Sequence, residues 1–150
     1  MTRSEWDVKI ETASDPEILD MIMGVLDGEI MSEALYADNE ICNGGFFQYY
    51  SNSIFDARKH ISDLRKLDQS DLADLVQRSL NCFPNAEQPR RLETDLAPIS
   101  DRVLSLVGSK DCFTEIEGEY YRICKGLEAA IIRYFRAHSG EYWSKLGEVV

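Results

Sequence analysis

Eight carboxylates crowd residues 15–40 of this chain: Asp15, Glu17, Asp20, Asp27, Glu29, Glu33, Asp38 and Glu40. Carboxylates three or four positions apart on a helix sit about 5–7 Å from one another, close to the phosphate spacing along a nucleic-acid strand. Glu29 and Glu33 have that spacing, and the other six extend the charge. Arg and Lys on a partner would accept such an array as they accept a phosphate backbone. Metal binding by the same acids is a poorer reading. Glu29, Glu33 and Glu40 come from one segment, with no His and no second carboxylate helix to complete a shell. His60 has Asp56 at i−4 and Asp63 at i+3, which could orient an imidazole, but a lone His on a charged helix reads as a solvated surface residue. Cys42, Cys82, Cys112 and Cys124 are widely spaced, form no Cys-x-x-Cys and have no His nearby. They read as reduced, mostly buried thiols rather than as a zinc site. The chain has no Gly-x-Ser-x-Gly, no P-loop, no His-Glu-x-x-His and no Glu-x-x-His. No catalytic residue, metal or cofactor is expected, and the chain does not read as an enzyme.

The acids need rigid helices to hold them. Asp15-Pro16-Glu17 is a helix start, with Asp15 as the N-cap acceptor, Pro16 at the first helical position and acid in the first turn. Ile18, Leu19, Ile22, Val25 and Leu26 follow at helical spacing. One straight helix to Ile41 would put Glu29, Glu33 and Glu40 on the same face as Ile18 and Ile22, a costly burial of unpaired charge. A break near Asp27-Gly28 resolves this, with a rotated second segment burying Ile30, Ala34 and Ile41. The three Glu residues then lie exposed or half-exposed on one stripe. Alternatively one of them is buried against the turn that follows, and Glu40 is nearest to it.

That turn is Asn43-Gly44-Gly45, which runs into Phe46-Phe47-Gln48-Tyr49-Tyr50-Ser51-Asn52. Asn and Gly tolerate positive φ, so a helix should stop near Asn43 and a new one start at Gly45. Phe46 shares a helix face with Tyr49 or Tyr50, and Phe47 points aside. Gln48 and Asn52 share a face at i, i+4, where their amides can bond each other or cap backbone. The block reads as a packed helix corner, with an aromatic-walled ligand pocket as the alternative.

Asn43 to Asn52 also resembles the signature of the DNA-mimic protein family, a bacterial helical family. Its pattern is an acidic helix, then Asn-Gly-Gly-Phe, one variable residue, Gln-Tyr, an aromatic and a closing Asn. Here Asn43, Gly44, Gly45, Phe46, Gln48, Tyr49 and Asn52 fill it. A weaker second match is Glu119-Tyr120-Tyr121 with Leu127 and Tyr134-Phe135, so the resemblance spans roughly residues 17–137. The resemblance implies an acidic, dimeric protein that occupies a DNA-binding protein in place of DNA.

Charge distribution agrees with an acidic interaction surface. Of a net −11, residues 1–50 carry −9, from eleven acids against Arg3 and Lys9. Such a segment repels duplex DNA and anionic membranes and attracts a basic protein. With 150 residues and 44% hydrophobic content the chain is long enough for one packed domain. It shows no membrane-length apolar run and no leader-like start, which points to the cytoplasm. The expected fold is a single all-α domain of about six or seven helices. Residues 1–14 form an arm or frayed helix with Trp6, Val8 and Ile10 on one side. Residues 15–42 are the acidic helical segment, 43–137 the helical body and 138–150 a docked tail carrying Tyr142, Trp143 and Leu146. In the body, Ile54, Ala57, Ile61 and Leu64 mark one helix. Ser70 to Phe83 hold the next, and Leu92, Leu96, Ile99, Val103 and Leu106 continue the period with a kink or new turn at Pro98 and an end at Gly108. A last long helix runs from about Thr114 to Ala137. The expected partner is a basic or DNA-binding protein, with no direct nucleic-acid contact and with homodimerisation possible. An immunity-type or regulatory protein that neutralises a basic toxin is the alternative.

Overall fold

The computed structural model describes residues 1–26, 28–52, 54–90 and 98–146, the Leu146 side chain excepted. Asp27 of the acidic set, Leu92 and Leu96 of the expected helical period, and the last four residues of the tail lie outside the described residues. The regular structure is α-helical, as expected. It comprises α1 (Arg3–Thr12), α2 (Asp15–Val25), α3 (Ile30–Asn52), α4 (Ala57–Lys66), α5 (Ser70–Leu80), α6 (Ile99–Val107), α7 (Asp111–Ile123) and α8 (Leu127–Leu146), with 3-10 turns at Pro84–Ala86 and Cys124–Gly126. No strand occurs among the described residues. No described helix is long and apolar enough to cross a membrane. The chain forms two compact units, Met1–Leu35 with Gly126–Val150, and Tyr36–Lys125.

The first unit packs α1 and α2 on α8. The N-terminal residues form a helix, not an extended arm, because Thr2 and Glu5 build a reciprocal capping box. Helical geometry then sends Trp6 and Ile10 inward at i, i+4 and leaves Val8 57% exposed, so the three do not share a side. Trp6 meets Phe135 edge-on at 6.5 Å and donates its indole N–H to the Ser139 carbonyl at 3.2 Å. The Arg136 guanidinium donates to the Ile10 and Ala13 carbonyls at the end of α1, where a cation suits the helix dipole. Ser14 and Glu17 make a second capping box that starts α2, so the cap is Ser14 and not Asp15, which is already the first helical residue. The break expected near Asp27-Gly28 is present: α2 ends at Val25 and Gly28 takes φ +82°. Ser32 ties the turn by donating to the Leu26 carbonyl at 2.8 Å. Residues 139–146 continue α8 as helix, and Tyr142 is buried against Phe135 with rings 6.0 Å apart. The expected single helix from Thr114 to Ala137 is two helices, parted at Cys124–Gly126 by a 3-10 turn that ends on glycine.

The second unit packs α5 against α4 and α7. Asp56 caps α4 by accepting from the Arg58 and Lys59 amides. Ala57, Ile61 and Leu64 are buried as expected, but Ile54 precedes the helix and is 71% exposed. Leu72, Leu75, Val76, Leu80 and Phe83 form the inner face of α5 and its exit. Pro98 starts a new helix rather than kinking an old one, and Gly108 closes it at φ +78°. Val103 is buried there and Leu106 is exposed. The cysteines and His60 also depart from expectation in this unit. Cys82 and Cys112 are a disulfide with Cα atoms 6.4 Å apart, because the turn after α5 meets the start of α7. Cys42, expected to be buried, is exposed. His60 is buried, not solvated, since it stands three positions after Ala57 and four before Leu64 on the same face. Its Nδ1 pairs with the Tyr49 hydroxyl at 3.1 Å, and neither Asp56 nor Asp63 orients it.

Burial, with a smaller push from Lys59, holds the His60 imidazole down at about 4. Between that value and the ordinary 6.5 the unfolded chain binds a proton that the folded chain does not, so stability rises with pH across this window and is lost on acidification. Urea unfolding at pH 7 and pH 4.5 should show the native chain losing about 2 kcal/mol more than a His60→Asn variant. Equal losses in the two proteins would show that His60 does not set this acid limb.

Candidate functional site

The corner at Asn43 to Asn52 is built on one glycine. Gly45 sits at φ +71°, ψ −170°, outside helical space, and splits α3 into two segments. The second segment therefore needs a partner for its first backbone N–H groups. The Glu117 carboxylate of α7 supplies one, accepting from the Phe46 amide at 2.9 Å. A side chain on Gly45 would run into that carboxylate, and one on Gly44 would run into Gln48. Asn43 is exposed.

Phe46, Tyr49 and Tyr50 are all fully buried. Phe46 packs against Tyr120 at 5.7 Å, Phe113 at 6.0 Å and Tyr49 at 6.2 Å between ring centres. The Tyr50 hydroxyl bonds Ser79 at 2.7 Å, and desolvation raises both Tyr49 and Tyr50 well above the ordinary phenol range. Both phenols stay neutral and serve as hydrogen-bonding members of the core. Phe47 points aside, with the Lys110 ammonium 4.1 Å from its ring centre.

Glu40 is the acid that turns back onto the corner. Its Oε2 accepts from Gln48 Nε2 at 3.0 Å and from Asn52 Nδ2. Gln48 and Asn52 thus share a face, as their spacing predicts, and use it to hold a carboxylate. Asp38 accepts a 2.7 Å hydrogen bond from the Tyr120 hydroxyl, and Tyr121 donates to the Ile41 carbonyl at 3.1 Å. Both tyrosines belong to the weaker second match of the sequence. Tyr120 is raised far above the phenol range by desolvation and then by Asp38, so it remains a donor. Cys42 lies one turn beyond Asp38. Desolvation, Asp38 and Cys124 push its thiol up to about 12.

The seven predicted contact acids among the described residues fall into two groups. Asp15, Glu17 and Asp20 are exposed on α2 in the first unit. Asp15 lies 3.4 Å from Arg136, and Glu17 also accepts from Ser14, which lowers its carboxyl without removing its charge from the surface. Glu29 and Glu33 are half-buried in the same unit, and Lys145 engages Glu29. Asp38 and Glu40 belong to the second unit and are held by the contacts just described. The sequence reading missed Glu117 and the Cys82–Cys112 pairing, which join residues 71 and 30 positions apart. No local pattern marks either. It also missed His60, although the spacing from Ala57 and Leu64 carried the signal.

A protein-family model described as DMP19-like protein matches residues 34–138, and the chain belongs to that family. No curated protein and no solved structure matches the chain significantly.

The matched region contains the whole Gly45–Glu117 junction. Gly45→Ala should lower stability by about 2 kcal/mol, because it combines an unfavourable positive φ with displacement of the carboxylate. Glu117→Ala should cost about 1 kcal/mol by orphaning the Phe46 amide. Since both changes break the same cap, the double variant should lose less than the two separate losses combined in chemical denaturation. Strict additivity would show that the two residues act independently.

Proposed function

We propose that this DMP19-like family member is an acidic protein-interaction module of the cytoplasm, and that it acts as a DNA mimic occupying the DNA-binding surface of a basic protein such as a transcription factor. The observation that carries the reading is the acidic display on α1 and α2. Glu5, Asp7, Glu11, Asp15, Glu17 and Asp20 are all exposed on these two capped helices. This part of the chain precedes the family-matched residues 34–138. Carboxylates on short capped helices keep their positions, as a phosphate mimic requires, and a partner's Arg side chains would engage them in the bidentate geometry they use with phosphate. Glu29, Asp38 and Glu40 are half-buried as well as engaged within their own units, so they contribute field more than contact. A second copy of the chain would lengthen the array to suit the two half-sites of a dimeric partner.

Affinity capture from native lysate at low and high salt, with duplex DNA added as competitor, tests the reading. The expected result is a nucleic-acid-binding partner that is released both by salt and by DNA. The paired reversal Glu11→Lys and Asp20→Lys should weaken that partner's binding by about tenfold or more, with an unchanged helical circular-dichroism spectrum. Capture that survives high salt, or a partner indifferent to DNA, would count against mimicry. A basic toxin as the captured protein would instead favour an immunity role.

A further inference from the structure

Asp38, Cys42 and Cys124 bring one carboxylate oxygen and two thiol sulfurs within 4.8 Å of one another. Two of these residues come from α3 at i, i+4, and the third follows α7, so the packing of two helices makes the cluster. The Cys42 and Cys124 sulfurs are 3.9 Å apart, and both cysteines are free. A disulfide would need them at about 2.05 Å. Two thiolates on a tetrahedral zinc ion, each about 2.3 Å from it, stand about 3.8 Å apart. The 3.8 Å separation of the Cys42 sulfur and Asp38 Oδ1 suits an edge of the same tetrahedron.

We propose that Asp38, Cys42 and Cys124 form a three-ligand site for a thiophilic divalent cation of the zinc class. Two soft sulfurs and one carboxylate select such an ion over magnesium or calcium, which take all-oxygen shells. The Tyr120 hydroxyl, 2.7 Å from Asp38 Oδ1, is placed as the outer hydrogen-bond donor that orients the ligating carboxylate while a second lone pair of that oxygen stays open to the metal. Cys42 is exposed, so the fourth position faces solvent and would take water or a group from another molecule. Binding displaces the two thiol protons to solvent and forms two metal–sulfur bonds and one metal–oxygen bond, with no change of oxidation state.

Cobalt(II), a coloured substitute for zinc, tests the site on the full-length chain treated with a non-thiol reductant. The native protein should develop thiolate-to-cobalt charge-transfer absorption, and added zinc should bleach it. Cys42→Ser and Cys124→Ser should each abolish the absorption, Asp38→Asn should weaken cobalt binding at least tenfold, and Cys82→Ser should retain it. A second measurement needs no variant. Cobalt should shield Cys42 and Cys124 from alkylation, as read by peptide mass spectrometry. Absence of the absorption in native protein, its persistence in the two serine variants, or unshielded alkylation of Cys42 and Cys124 would overturn the proposal.

Discussion

The Glu117 carboxylate on the Phe46 amide is the contact on which the Tyr36–Lys125 unit depends. Gly45 takes the chain out of helical geometry in the middle of α3, and every helix start exposes backbone N–H groups that must be satisfied. An acid at that point satisfies one amide and sits at the positive end of the new helical segment. It also fixes how the segment meets α7, because donor and acceptor belong to different helices. The direction of Phe46, Tyr49 and Tyr50 follows from that angle. Their rings reach Phe83, Phe113 and Tyr120 only when the segment leaves Gly45 in this one direction. The Asn43 to Asn52 corner is therefore a joint, and Phe46, Tyr49 and Tyr50 are wholly buried in it.

Around this joint the protein uses acids in two ways. Glu117 and Glu40 satisfy backbone and amide donors, and Asp38 takes the hydroxyl of a buried tyrosine. A carboxylate in such a position is an architectural acceptor, and its charge is largely answered by the dipoles that hold it. The acids of α1 and α2 stand at the surface, where they produce a field. A count of acidic residues does not separate the two kinds. The excess of negative charge before residue 50 is real, but part of it belongs to the scaffold and part to the display.

The buried polar groups follow the same logic. Tyr49 pairs with His60 and Tyr50 with Ser79, so the aromatic core contains hydrogen bonds among its rings. A polar atom placed in an apolar interior without a partner is costly, which makes these pairs specific for one packing. The neutral His60 belongs to this arrangement and has no role at the surface.

What could be read from the sequence is what local chemistry controls. The helix start near Pro16, the break at Gly28, the start at Pro98, the stop at Gly108 and the kink at Gly45 each rest on the conformational limits of a few neighbouring residues, although Ser14 rather than Asp15 supplies the cap. The buried faces of α4 and α5 rest on helical periodicity. The helix at residues 3–12 was legible only in part, because Trp6, Val8 and Ile10 fit a two-residue alternation until Thr2 and Glu5 cap the turn. Tertiary structure alone decided which acid meets which donor, which cysteines meet and where His60 lies. Cys82 reaches Cys112 because α5 and α7 pack side by side, and Glu117 reaches Phe46 because α7 also meets the second segment of α3. Hydrogen bonds and disulfides between distant residues depend on the relative placement of whole helices. That placement is set by the sum of many weak apolar contacts, which no local spacing records.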